Sequence, residues 1–139
     1  MTAGLIALAL TGCGGGKKKS EPERPLNKAA VGACKGSQLS AAPKLPAGFP
    51  HVAHVNYTEQ STEGPTNVVE GYFGGSIKDA HDSYKKALQG AGYKILFDEL
   101  EEHDSEVSWS GEGRSGQVAL REDCPQSDRI YVHITNRPA

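Results

Sequence analysis

Between Ile77 and Ala91 the apolar residues return at three- and four-residue steps. Ile77, Ala80, Tyr84, Ala87, Leu88 and Ala91 form one stripe, while Lys78, Asp82, Lys85, Lys86 and Gln89 fall away from it. This pattern predicts an amphipathic helix over 77–90 with one face for a sheet and one for water. Ser76 stands where a cap accepts the first amides, with Asp79 three residues on, and Gly90 and Gly92 supply the stop. Asp82 and Lys86 form an i,i+4 pair worth a few tenths of a kcal/mol. After Gly92 the period changes from about 3.6 to two. Residues 93–100, 105–110, 117–122 and 129–135 alternate and are rich in β-branched and aromatic side chains, which predicts four strands.

Two further strands are expected ahead of the helix, at 51–57 and 67–73, with Val69 and Phe73 on one face. The polar stretch 58–66, with its Gly64-Pro65, reads as the loop between them. One face of the sheet then collects Tyr93, Ile95, Phe97, Val107, Trp109, Val118, Leu120, Ile130, Val132 and Ile134. The other collects Lys94, Leu96, Ser108, Ser110, Gln117, Arg121, Tyr131, His133 and Thr135. A single helix covers one face, so the second is expected to meet solvent or a partner. The fold class is α+β, a small two-layer domain of antiparallel sheet and one packed helix in the order β-β-α-β-β-β-β.

This domain is expected over residues 45–137. Before it, residues 14–44 lack apolar periodicity and open with three consecutive glycines, then Lys17, Lys18 and Lys19, then a Pro- and Glu-containing stretch. They read as a flexible tether. Before the tether, an apolar run ends in Leu10-Thr11-Gly12-Cys13, and the chain turns polar at once. These four residues resemble the lipobox of bacterial lipoproteins. The resemblance implies a signal peptide over 1–12, cleavage before Cys13, a diacylglycerol on the Cys13 thiol and an acyl chain such as palmitate on its freed amine. Thr11 and Gly12 are small enough for a signal peptidase to reach the bond. Signal peptides ordinarily open with a basic region, and residues 1–12 hold no Lys or Arg; translation is expected to start further upstream. Two acyl attachments would anchor the chain stably, where one is marginal.

Export changes how the cysteines are read. With Cys13 assigned to lipid, Cys34 and Cys124 remain as an even pair in an oxidising compartment and are expected to form a disulfide. The formal net charge of -2, with mixed signs, argues against a nucleic-acid partner, which calls for a basic face. Gly111, Gly113 and Gly116 spell G-x-G-x-x-G, but a strand follows where a dinucleotide site needs a helix, so they read as a hairpin loop. His51 and His54 stand three apart on an expected strand, on opposite faces, and do not converge on a metal. The acidic run Asp98, Glu99, Glu101, Glu102, Asp104 and Glu106 lacks the glycine-spaced calcium loop and reads as a solvated tip. No cofactor and no metal are expected.

Ser108, Ser110 and His133 share the open face with Glu70 near, which is the minimum for nucleophilic chemistry, but alternation alone accounts for them. His81 reads as a solvated residue on the polar side of the helix. The expected function is that of a membrane-anchored envelope lipoprotein whose domain is a non-catalytic binding module for an envelope protein, a wall polymer or a small ligand. Tyr72, Arg121, Tyr131 and His133 on the exposed sheet face are its candidate contact residues. The alternatives are a small envelope hydrolase, or a ligand- or pH-sensing module with His133 as the titrating group. With two membranes the expected location is the outer membrane, facing the periplasm, because Gly14 rather than an aspartate follows Cys13. With one membrane it is the outer leaflet of the cytoplasmic membrane.

Overall fold

A computed structural model describes residues 27–139. It contains α1 (Lys28–Lys35), β1 (Val55–Glu63), β2 (Thr66–Gly74), α2 (Ile77–Gly90), β3 (Lys94–Leu100), β4 (Asp104–Gly111), β5 (Arg114–Arg121) and β6 (Arg129–Pro138). The strands form one antiparallel sheet in the order β1-β2-β6-β5-β4-β3. The α+β class and the order of strands around α2 are those the periodicity predicts. The candidate tether differs, because its residues 28–35 are helical and belong to the folded unit.

α2 starts where Ser76 Oγ accepts from the Asp79 amide at 3.1 Å. It buries Ile77, Ala80, His81, Tyr84 and Leu88. Its exposed ion pair is Lys78–Asp82 rather than Asp82–Lys86. Beneath it lies the core of Val69, Phe73, Tyr93, Val107, Trp109, Val118, Leu120, Ile130, Val132 and Ile134. Phe97 is missing from this core and is 51% exposed. A β-bulge between Ile95 and Phe97 inserts Leu96, so that Ile95 stands opposite Trp109 while Phe97 stands opposite Ser108 on the other face. One extra residue reverses the parity of everything after it.

β1 starts later and runs further than the sequence pattern suggests. His54 takes a left-handed φ of 67°, which ends extended chain and delays the strand to Val55. After a bulge at Thr58 the polar residues 59–63 remain paired with β2 as an edge strand, so the expected loop shrinks to Gly64-Pro65. An edge strand partly open to water does not require apolar alternation. At the β4–β5 hairpin the turn is only Glu112-Gly113, with φ of 53° and 70°, the two positive values of a type I′ turn. Gly116 lies inside β5, where an added Cβ would come 2.5 Å from the Trp109 ring. That glycine makes room for the indole.

Tyr57 and Tyr84 join β1 to α2 through a hydroxyl–hydroxyl hydrogen bond of 3.0 Å. Burial pushes the Tyr57 phenol up to about 12 and raises that of Tyr84 as well. Both folded values exceed the unfolded value of about 10. The stability gained by keeping the pair neutral is therefore fully present below about pH 10 and is lost as pH rises toward 12. The urea midpoint should fall more steeply over that window than in a Tyr57→Phe/Tyr84→Phe double variant. Parallel profiles would remove the pair as the cause.

Candidate functional site

The two helices lie on opposite faces and over opposite halves of the sheet. α2 packs on β3, β4 and β5, and α1 packs on β1, β2 and β6. The α2 face over β1, β2 and β6 is closed by the incoming chain, with Leu45, Phe49 and Val52 against the core and Lys44 O accepting from Asn136 Nδ2 at 2.9 Å. Three quadrants of the sheet are thus covered. Among the described residues the fourth, the α1-side face of β5, β4 and β3, has nothing on it.

α1 owes its place to several attachments. Asn27 Oδ1 caps it at the Ala29 amide, 3.0 Å away. Ala30, Ala33 and Cys34 are fully buried against Tyr131. Cys34 is joined to Cys124 with a Cα–Cα distance of 5.6 Å, in agreement with the expected pairing. Arg129 donates to the Cys34 carbonyl and stacks over the Tyr72 ring at 4.1 Å from its centroid. Thr58 Oγ1 donates to Ala33 O at 2.7 Å.

This helix redistributes the four candidate contact residues. Tyr131 is 3% exposed under α1, and its hydroxyl donates to Glu70; it is a core residue, not a contact residue. Burial first, and the Glu70 carboxylate second, raise its phenol pKa. Tyr72 is half-buried beneath Arg129. His133 is half-buried, with Nδ1 3.0 Å from Glu70 Oε1. Arg121, at the border of the open quadrant, pairs with Asp104 at 3.2 Å and with Glu106 at 3.5 Å. The structure therefore joins Glu70, Tyr131 and His133 into one network and leaves Arg121 apart. Ser108 and Ser110 lie opposite Gln117 and Ser115 on β5, away from His133. Cys13 lies outside the described residues.

The open quadrant carries Lys94, Phe97 and Glu99 from β3, Glu106, Ser108 and Ser110 from β4, and Gln117 and Arg121 from β5. Leu96 and Phe97, at 55% and 51% exposed, are the two most exposed large apolar side chains of the described residues. Leu96 also borders a hollow of about 360 Å³ shared with Ser115, Gly116, Thr135 and Arg137. The acidic run is paired in part: Asp98 accepts from Lys85, which holds its carboxyl below the usual range, and Asp104 and Glu106 meet Arg121, while Glu99, Glu101 and Glu102 are exposed. No family model, no curated protein and no solved structure matches the chain.

Sequence reasoning missed His81. It is 4% exposed, with Nδ1 2.5 Å from Ser105 Oγ and Nε2 3.2 Å from Asp98 Oδ2. The signal was available, because Ile77, His81, Tyr84 and Leu88 follow four-three-four spacing. The Ser–His–Asp chain looks like a nucleophile relay, yet Ser105 is 1% exposed between helix and sheet. A substrate carbonyl cannot reach a hydroxyl so enclosed, whereas a relay needs its nucleophile open to the reacting atom. The network instead ties α2 to β3 and β4.

Proposed function

We propose that the chain is an exported, lipid-anchored protein of a bacterial cell envelope, and that its domain is a non-catalytic interaction module using the open quadrant of the sheet. Cys13 is the lipidated residue in this reading, and the membrane is reached through it. The observation that carries the interaction surface is the pair Leu96 and Phe97, held out to solvent by a bulge on the quarter of the sheet that no other described residue covers. Their surroundings are acidic, with Glu99, Glu101 and Glu102 all exposed beyond them. The partner that fits is an envelope protein presenting an apolar side chain flanked by Lys or Arg. Apolar contact supplies affinity, and the charged rim supplies orientation. The bulge and the charges make the free edge of β3 a poor template for strand addition, so contact is through the face.

Cross-linking in cells of the full lipidated chain, followed by mass spectrometry, tests this. The expected result is one dominant partner cross-linked within residues 94–121, lost by at least tenfold in a Leu96→Ser/Phe97→Ser variant that keeps its disulfide and its helix content. Undiminished recovery from that variant would sink the surface. A chain whose Cys13 carries no lipid, or whose Cys13→Ser variant still sediments with membranes, would sink the anchor.

A further inference from the structure

A second site lies on the opposite side of the molecule. Between the 38–52 segment and the start of β1 runs a groove of about 380 Å³, lined by Leu39, Pro43, Leu45, Phe49, Val55 and Tyr57 among others. Its volume falls within the range of about 300–1,000 Å³ usual for small-molecule sites. Among the described residues no Asp, Glu, Lys or Arg lines it; exposed Gln38 and His51 are its other polar side chains. A charged ligand would lose its hydration there without compensation. Pro43, Pro46 and Pro50 in one wall restrict the backbone, so the groove is shaped before anything enters.

The polar handle is the Tyr57–Tyr84 pair. Two hydroxyls hold two protons, and the bond between them uses one. Tyr84 is fully buried, and among the described residues neither hydroxyl has another hydrogen-bond partner. If Tyr57 donated, the Tyr84 proton would be enclosed with nothing to receive it, at a cost of about 1–3 kcal/mol. The favoured arrangement has Tyr84 donating to Tyr57. Tyr57, which lines the groove, then keeps a proton to offer. Its phenol stays protonated at neutral pH, so it offers that proton as a fixed donor.

We propose that this groove binds an uncharged, mainly apolar small molecule that presents one hydrogen-bond acceptor, a carbonyl or ether oxygen, to the Tyr57 hydroxyl. The site is separate from the open quadrant, and its occupancy does not depend on the partner there.

Benzophenone is a suitable probe, because it is an uncharged aromatic ketone that inserts into nearby C–H bonds on near-ultraviolet irradiation. The full chain is irradiated at increasing probe concentration, and the adducts are mapped by peptide mass spectrometry. Saturable labelling concentrated within residues 38–57 is expected. Tyr57→Phe should reduce it at least fivefold at limiting probe, while Tyr84→Phe, which also breaks the pair but leaves the Tyr57 donor free, should label as well as the natural chain or better. Ala41→Trp, a substitution at an exposed lining position, should block it. Non-saturable or scattered adducts, equal losses in the two tyrosine variants, or full labelling of Ala41→Trp would each overturn the proposal.

Discussion

Replacing Cys34 and Cys124 together by alanine should lower the free energy of unfolding by about 4–5 kcal/mol. The crosslink joins residues 90 apart in sequence, and a loop that long restricts the unfolded chain strongly in the chain-entropy account. A local effect adds to the global one. α1 has only eight residues, too few to persist without tertiary support, and its other attachments are a few hydrogen bonds and two buried alanines. Without the disulfide, amide exchange in 28–35 should accelerate while α2 stays protected, and Tyr131 should become reactive toward a phenol-nitrating reagent. Equilibrium unfolding in urea gives the global term and hydrogen exchange the local one. A loss below about 1 kcal/mol, with α1 still protected, would show that packing alone holds the helix in place.

Trp109→Ala should cost about 3–5 kcal/mol, the usual range for removing a large buried aromatic ring. Trp109 is fully buried. Its ring meets Phe49 at 5.4 Å and Tyr93 at 5.3 Å, both edge-on, and Tyr93 Oη donates to Ala47 O at 3.3 Å. The tryptophan therefore holds up the core and also positions the 47–49 stretch beside the groove. Trp109→Phe should lose much less. It keeps a ring and discards an indole N–H that is buried without a partner among the described residues, a group whose isolation costs about 1–3 kcal/mol. Thermal and urea unfolding of both variants measure the difference. Equal losses would mean that ring size alone decides, and that the unpaired N–H carries no penalty.

The stripe from Ile77 to Leu88 and the alternation after Gly92 were legible because each buries one face continuously, so the period of burial is written in the residues. Phe97 was not, since a bulge is a backbone event that leaves the alternation intact and moves only the residues beyond it. α1 was hidden for a different reason. Its Ala-Ala-Val-Gly-Ala-Cys core has weak apolar contrast and an internal glycine, and what stabilises it is a cysteine ninety residues away and an arginine on β6. Only the Asn27 cap before a run of small apolar residues pointed to it. Tyr131 was misplaced by the same omission, because alternation assigns a face but not what covers that face. His81 was readable from its spacing and was set aside because its side chain is polar. The open quadrant and the groove depend on which halves of the sheet are covered, and no local pattern encodes that.

The disulfide also fixes how the molecule responds to being pulled. Tension applied from the N-terminal side enters through α1, crosses from Cys34 to Cys124 and arrives at the connection between β5 and β6, in the middle of the sheet. Without that bond the same tension would travel on along the chain to β1, an edge strand, and would open its hydrogen bonds from β2 one after another, as a zip opens. With it, β1 and β2 lie outside the line between that entry point and the open face of β3, β4 and β5. A domain held at one end and gripped at its sheet face would keep its shape under strain because the first strand to be reached is the one hardest to peel.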